Sequence, residues 1–124
     1  AAEHFQQTNV VASTRNHSDF LTKLDSIIES NYQNPTFSVS ELAREAAVGE
    51  RQLLRKLKAE TTLGPKEYIR TFRLHKSASL LRQGNTASYT ANEVGFSSLA
   101  YFSSCFKAFY GETPTQFANK KHTA

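Results

Sequence analysis

Arg51 and Arg55 stand four residues apart with Gln52 beside them. An arginine guanidinium can fork to O6 and N7 of guanine, or contact a phosphate, and a glutamine amide can pair with N6 and N7 of adenine. On a helix, positions i and i+4 point the same way. The three residues open a basic block. Residues 51–82 hold nine Lys and Arg against two Glu, a local net charge of +7, whereas residues 1–50 are net −4 and residues 83–124 net +1. A cationic stretch inside otherwise fold-forming sequence points to a polyanion partner, and the competing reading is a solvated face of long helices.

Other chemistry is poorly supplied. The single Cys105 excludes an internal disulfide framework and any multi-cysteine zinc site, and His4, His17, His75 and His122 have no ligand spacing. No nucleophile–base pairing, carboxylate dyad or phosphate-cradling Gly loop is visible, so neither catalysis, a metal nor a cofactor is expected. Cys105 reads as a buried structural thiol and His75 as a surface residue. No apolar run reaches the roughly 18 residues of a membrane span, so no membrane contact is expected. The first residues have neither the basic nor the apolar region of a signal peptide. The chain contains no Met and is expected to be a piece of a longer protein.

Gly and Pro together number 8 of 124 residues, against an average of about 12%, which favours helices over a turn-rich β fold. Residues 1–17 lack a sustained period and read as a linker from an upstream domain. From Asp19, Phe20, Leu21, Leu24, Ile27 and Ile28 follow a helical period, capped by Ser18 or Asp19 and ended by Asn34-Pro35. Ser38 and Glu41 form a capping box, and Phe37 and Leu42 a hydrophobic staple, for a short helix to about Ala47. After Val48-Gly49 a third helix runs from Glu50 to about Thr61, with Leu53, Leu54 and Leu57 inward. Gly64-Pro65 starts a long fourth helix to about Arg82, burying Tyr68, Ile69, Phe72, Ala78 and Leu81. A fifth spans about 87–94, a sixth Ser98 to Phe109 with Phe102, Cys105, Phe106 and Phe109 as its core stripe, and a short seventh follows the Thr113–Gln116 capping box.

Shifting the chain by 49 superposes Leu57-Lys58-Ala59 on Phe106-Lys107-Ala108, Leu53 on Phe102, and Gly64-Pro65-Lys66-Glu67-Tyr68 on Thr113-Pro114-Thr115-Gln116-Phe117. Upstream, a shift of 48 aligns Ala43, Glu45 and Ala46 with Ala91, Glu93 and Val94, so one extra residue sits near the second turn. A unit of short helix, turn and longer helix thus occurs twice. A helix of this kind fits a major groove, and a second one about a helical turn away would enter the next groove face.

These residues resemble the DNA-binding domain of AraC/XylS-type bacterial transcription regulators over about residues 19–118. The resemblance rests on Val39–Ala43 and Leu53–Lys58 for the first unit. For the connecting helix it rests on Gly64–Ile69 and Arg73–Leu81. For the second unit it rests on Glu93-Val94-Gly95-Phe96-Ser97-Ser98, Tyr101-Phe102, Phe106-Lys107, Phe109, Gly111 and Thr113-Pro114. The lead-in from Phe20 to Val39 is similar to output domains of hybrid two-component regulators. Ala87 and Thr90 stand where the family has larger apolar residues, Tyr89 where it has an acidic cap, Thr62 where it has Gly, and Ser104 where its second reading helix commonly has Arg.

The resemblance implies an all-α fold of about seven helices, with two homeodomain-like helix-turn-helix subdomains, 18–63 and 85–119, joined by a linker helix, 64–84. Residues 120–124 are expected to be a disordered tail. It also implies sequence-specific binding of double-stranded DNA in the bacterial cytoplasm, in transcriptional control as an activator or a repressor, by helices at about 50–61 and 98–109. Arg51, Gln52 and Arg55 on the first, and Leu99, Ala100, Tyr101 and Ser104 on the second, are the expected base contacts. Lys56, Lys58, Ser98, Ser103 and Lys107 are the expected phosphate contacts. RNA polymerase and an upstream sensor or receiver domain are further expected partners, and the isolated chain is expected to be a monomer. The alternative function is a helical protein-interaction module contacting RNA polymerase or a sensor.

Overall fold

Seven helices, and no strands among the described residues, follow from local signals that repeat along the chain. The computed structural model describes residues 17–123; of the expected linker at 1–17 all but His17 lies outside it, as does the last residue, 124. The helices are α1 (Asp19–Asn31), α2 (Val39–Glu45), α3 (Glu50–Thr61), α4 (Pro65–Arg82), α5 (Ala87–Glu93), α6 (Leu99–Tyr110) and α7 (Pro114–Thr123). None is long and apolar enough to cross a membrane.

Two compact units form. Among the described residues the first contains 17–32 and Thr36–Phe72, the second Gln33–Pro35 and 73–123. The helix α4 runs unbroken from one into the other.

In the first unit, Ser18 caps α1 by accepting the Leu21 N–H at 3.1 Å, and α1 turns Leu21, Leu24 and Ile28 inward. Ser38 and Glu41 make the reciprocal capping box that starts α2. Lys23 Nζ donates to the Ala46 carbonyl at 2.7 Å, a cation placed where the α2 dipole ends negative. Leu53 and Leu57 of α3, Tyr68, Ile69 and Phe72 of α4, Phe37, Leu42, Ala43 and Ala46 complete one core. Tyr68 donates its hydroxyl to Asp25 at 2.5 Å, and His17 reaches the other Asp25 oxygen at 2.9 Å. Burial raises the Asp25 pKa, and the Tyr68 and His17 contacts offset part of that.

The second unit is built on rings. Phe102 and Phe106 of α6 are fully buried. Phe96 packs tilted on Phe102 at 5.1 Å and Phe117 edge-on to Phe106 at 5.3 Å between centroids, arrangements that suit the ring quadrupoles. Thr86 caps α5 by accepting the Tyr89 N–H at 3.1 Å, with no acid to return the bond. Thr90 is fully buried with an unpartnered hydroxyl, a cost that a larger apolar residue would avoid. Thr113 and Gln116 form the capping box of α7.

Four expectations need correction. Leu54 is 44% exposed, because it stands about 100° around α3 from Leu53 and the packing of the helix leaves that side uncovered. Cys105 and Phe109 are half-buried, not core. His75 is not a surface residue: it is half-buried, with its ring edge-on to Phe109 at 6.1 Å and its Nε2 without a hydrogen-bond partner. The chain also stays helical to Thr123, where a disordered tail from 120 was expected, since no Gly or Pro follows Pro114 to stop the helix.

The duplication is carried by backbone as well as side chains. The helices α2 and α5 have seven residues each, and α3 and α6 twelve each. The turn residue Ala47 (φ 60°) matches Gly95 (φ 93°). Val48 N–H bonds the Ala43 carbonyl just as Phe96 N–H bonds that of Ala91. From the caps Gly49 and Ser98 onward the offset is 49, so the extra residue is Ser97. At the far end Thr62 (φ 69°) matches Gly111 (φ 85°), each donating its N–H to Lys58 or Lys107. The first unit therefore holds side chains at both left-handed positions where the second has glycine.

Left-handed backbone costs a non-glycine residue roughly 1–2 kcal/mol, partly offset by the lower unfolded-state entropy of that residue. Ala47→Gly and Thr62→Gly should each raise unfolding free energy by a few tenths to about 1 kcal/mol, and Gly111→Ala, where a Cβ meets open space, should lower it by about 1 kcal/mol. Urea titration of the three variants checks this, and a loss of stability in Ala47→Gly would contradict it.

Burial, with Arg82 and Lys76 nearby, pushes the His75 pKa from 6.5 down to about 4. The unfolded chain takes up that proton near pH 6.5 and the folded one only near pH 4. Between those values the unfolded state binds more protons, so stability falls as pH falls through the window. The contribution is about 2–3 kcal/mol, and denaturant melts from pH 7 to 4 should show a flatter slope in His75→Gln than in the unaltered chain.

Candidate nucleic-acid interface

Two buried residues orient each candidate reading helix. Leu53 and Leu57 of α3 are fully covered, and the i, i+4 spacing sends both to one side. The opposite side carries Arg51, Gln52, Arg55 and Lys58, all exposed. Among the described residues neither Arg51 nor Arg55 has an ion-pair partner, so their guanidinium donors face solvent. With Gly49 and Leu54 they line an open depression of about 640 Å³. The α3 N-cap is Gly49, with no side-chain hydrogen bond.

The helix α6 repeats this orientation with Phe102 and Phe106 inward. Leu99, Ala100, Tyr101, Ser104 and Lys107 are exposed, and Ser103 is half-buried. Ala100 and Ser104 stand where α3 has Arg51 and Arg55, so this surface carries no guanidinium fork. Leu99 and Tyr101 are 46% and 45% exposed. The Tyr101 ring is propped edge-on against Phe96 at 5.6 Å between centroids. Ser98 accepts the Tyr101 N–H at 3.0 Å, which occupies one face of its hydroxyl and leaves the O–H able to donate.

The expected contacts are thus grouped on the outward side of their helices with qualifications. Lys56 is half-buried and places its ammonium 4.7 Å from the centre of the Phe20 ring, a cation–π contact within the first unit. Of the other cations in the basic block, Arg73 donates to the Asn34 carbonyl at 2.9 Å. Burial lowers its pKa, which Tyr101 partly offsets. Arg82 lies over Phe117 at 5.4 Å. Within the block Arg51, Arg55, Lys58 and Lys66 are exposed, whereas Lys56, Arg73 and Arg82 are engaged with Phe20, Asn34 and Phe117, so the linear charge density overstates the number of uncommitted cations.

Leu54 is the surface residue that pattern reading missed. On the helical wheel it falls about 60° from exposed Arg51 and equally about 60° from buried Leu57, so the wheel leaves its side open and the packing of α3 decides it. No cluster of His, Cys, Asp and Glu able to hold a metal occurs among the described residues.

A helix-turn-helix domain family matches residues 42–120. Histidine kinase P4 of Formosa agariphila is 34% identical over 120 residues, 96% of this chain and 9% of that protein. The C-terminal domain of the two-component response regulator yesN from Fusobacterium nucleatum is 26% identical. It covers 82% of this chain and 99% of that one at a TM-score of 0.74. A transcriptional regulator with an AraC-type DNA-binding domain from Chromobacterium violaceum is 28% identical. It covers 82% and 91% at a TM-score of 0.76. The chain spans 9%, 41% and 31% of three curated relatives.

Proposed function

Since this chain belongs to the AraC-type helix-turn-helix family of DNA-binding domains, we propose that it is the sequence-reading output domain of a bacterial transcription regulator. In this reading α3 and α6 enter adjacent major-groove segments of one double-stranded site. The supporting observation is the outward Arg51–Gln52–Arg55 surface on a helix whose other side is locked by Leu53 and Leu57. Arg51 and Arg55 fork to guanines, and Gln52 pairs with adenine. Lys58 and Lys107 hold phosphates, with Lys56, Ser98 and Ser103 in lesser roles.

The two readers divide the work unevenly. Arginine forks give α3 most of the base discrimination. Leu99, Ala100, Tyr101 and Ser104 give α6 apolar and hydroxyl contacts that set register and add modest preference. Phosphate contacts release counterions, so duplex affinity falls steeply with salt. The chain acts as a monomer on a bipartite site in the cytoplasm. An upstream sensor or receiver domain supplies the signal, and RNA polymerase is the partner that reads the outcome.

Selection from a random duplex library tests this. The chain should enrich a motif of two elements about one helical turn apart, and Arg51→Ala/Arg55→Ala should blur the first element alone, at a cost of roughly 1–3 kcal/mol per lost fork. Recovery of no motif, at salt low enough to permit nonspecific binding, would favour a protein-interaction module. Intact selectivity in Arg55→Ala alongside its loss in Ser104→Ala would overturn the division of labour.

A further inference from the structure

We propose that Leu54 is a specificity-determining residue of α3 that recognises the C5-methyl group of a thymine flanking the bases addressed by Arg51 and Arg55. The inference rests on the reading of α3 as a major-groove helix and adds to it a named base feature.

Three observations support it. Leu54 leaves 44% of its surface to solvent although the other two leucines of α3 are fully covered. It lines the same depression as Gly49, Arg51, Gln52 and Arg55, so it belongs to the reading surface and not to an isolated spot. It is also held in place: a Cβ built at Gly64 would lie 3.7 Å from Leu54 Cδ1, which puts one side of the leucine against the Gly64 backbone and turns the other outward.

The chemistry then narrows the target. Leucine neither donates nor accepts a hydrogen bond, so it is blind to the polar atoms of a base edge. The thymine methyl is the one apolar group that a base pair presents in the major groove. Covering both surfaces removes apolar area from water, which is favourable. Leu54 lies about 60° around the helix from Arg51, on the flank opposite Gln52. The thymine therefore sits on the side of the arginine contacts away from the Gln52 base. The matching residue of α6 is Ser103, which is half-buried and polar, so this position reads a methyl group in the first unit only.

Single thymine-to-deoxyuridine replacements across the selected site, each removing one methyl and no hydrogen-bonding group, test the proposal by equilibrium binding of the whole chain. One position in the first element should lose about fourfold in affinity, the equivalent of one buried methyl-sized group. In Leu54→Ala and in Leu54→Gln that loss should shrink to less than about 1.5-fold, while Leu54→Met retains it. Circular dichroism confirms that each variant is folded, and the polar variant keeps the side-chain bulk should alanine perturb the helix. The absence of a sensitive position in the first element, or an undiminished loss in both Leu54→Ala and Leu54→Gln, overturns the role of Leu54 while DNA reading stands. Failure of the unaltered chain to select any motif removes the reading itself and this proposal with it.

Discussion

An inward-facing pair at i and i+4 governs each reading helix: Leu53 with Leu57 in α3, and Phe102 with Phe106 in α6, all fully buried. A helix has one rotation about its axis that buries both members of such a pair, and burying a large apolar side chain is worth about 1.5–3 kcal/mol. That rotation dictates which residues face out. Arg51, Gln52 and Arg55 are exposed because they lie off that stripe, and Ala100, Tyr101 and Ser104 follow from the same rule. The caps and turns then set where each helix begins and ends. The seven- and twelve-residue lengths recur in both units because Ser38 and Thr86, Ala47 and Gly95, and Thr62 and Gly111 occupy matching places.

Holding the scaffold constant while changing the outward residues separates folding from recognition. The first unit fills its core with aliphatic side chains and Tyr68; the second stacks Phe96, Phe102, Phe106 and Phe117. Both solutions leave the same outward positions open. Into those positions the first copy puts two arginines and the second an alanine and a serine. The outward residues of two equivalent helices thus differ in charge and hydrogen-bonding capacity, while the backbone that presents them is shared.

Most of this was legible in the residues. Capping residues, the proline starts at 65 and 114 and the 49-residue offset located the start of every helix to within a residue or two, because such signals act over one turn, whereas the ends of α1 and α7 fell about three to four residues from where they were expected. What escaped depended on neighbours far along the chain. Leu54 read as core by type, and its exposure depends on how α3 seats on α1 and α2. His75 read as surface by its charged company, yet Phe109, 34 residues on, covers its ring. Lys56 lies over Phe20, a contact that no local pattern encodes. The identities of the outward residues were plain, whereas the engagement of Arg73 with the Asn34 carbonyl and of Arg82 with the Phe117 ring was not.

The 49-residue offset puts Ala100 and Ser104 in the same register on α6 as Arg51 and Arg55 on α3. Duplex-library selection with Ala100→Arg/Ser104→Arg, alongside its urea stability, asks whether that register carries over to DNA. Register equivalence predicts that the second element of the motif acquires guanines while the first is unchanged, with stability held within about 0.5 kcal/mol because both positions are exposed. An unaltered second element in a folded, DNA-binding variant would contradict it, as would a stability loss large enough to place either position in the core.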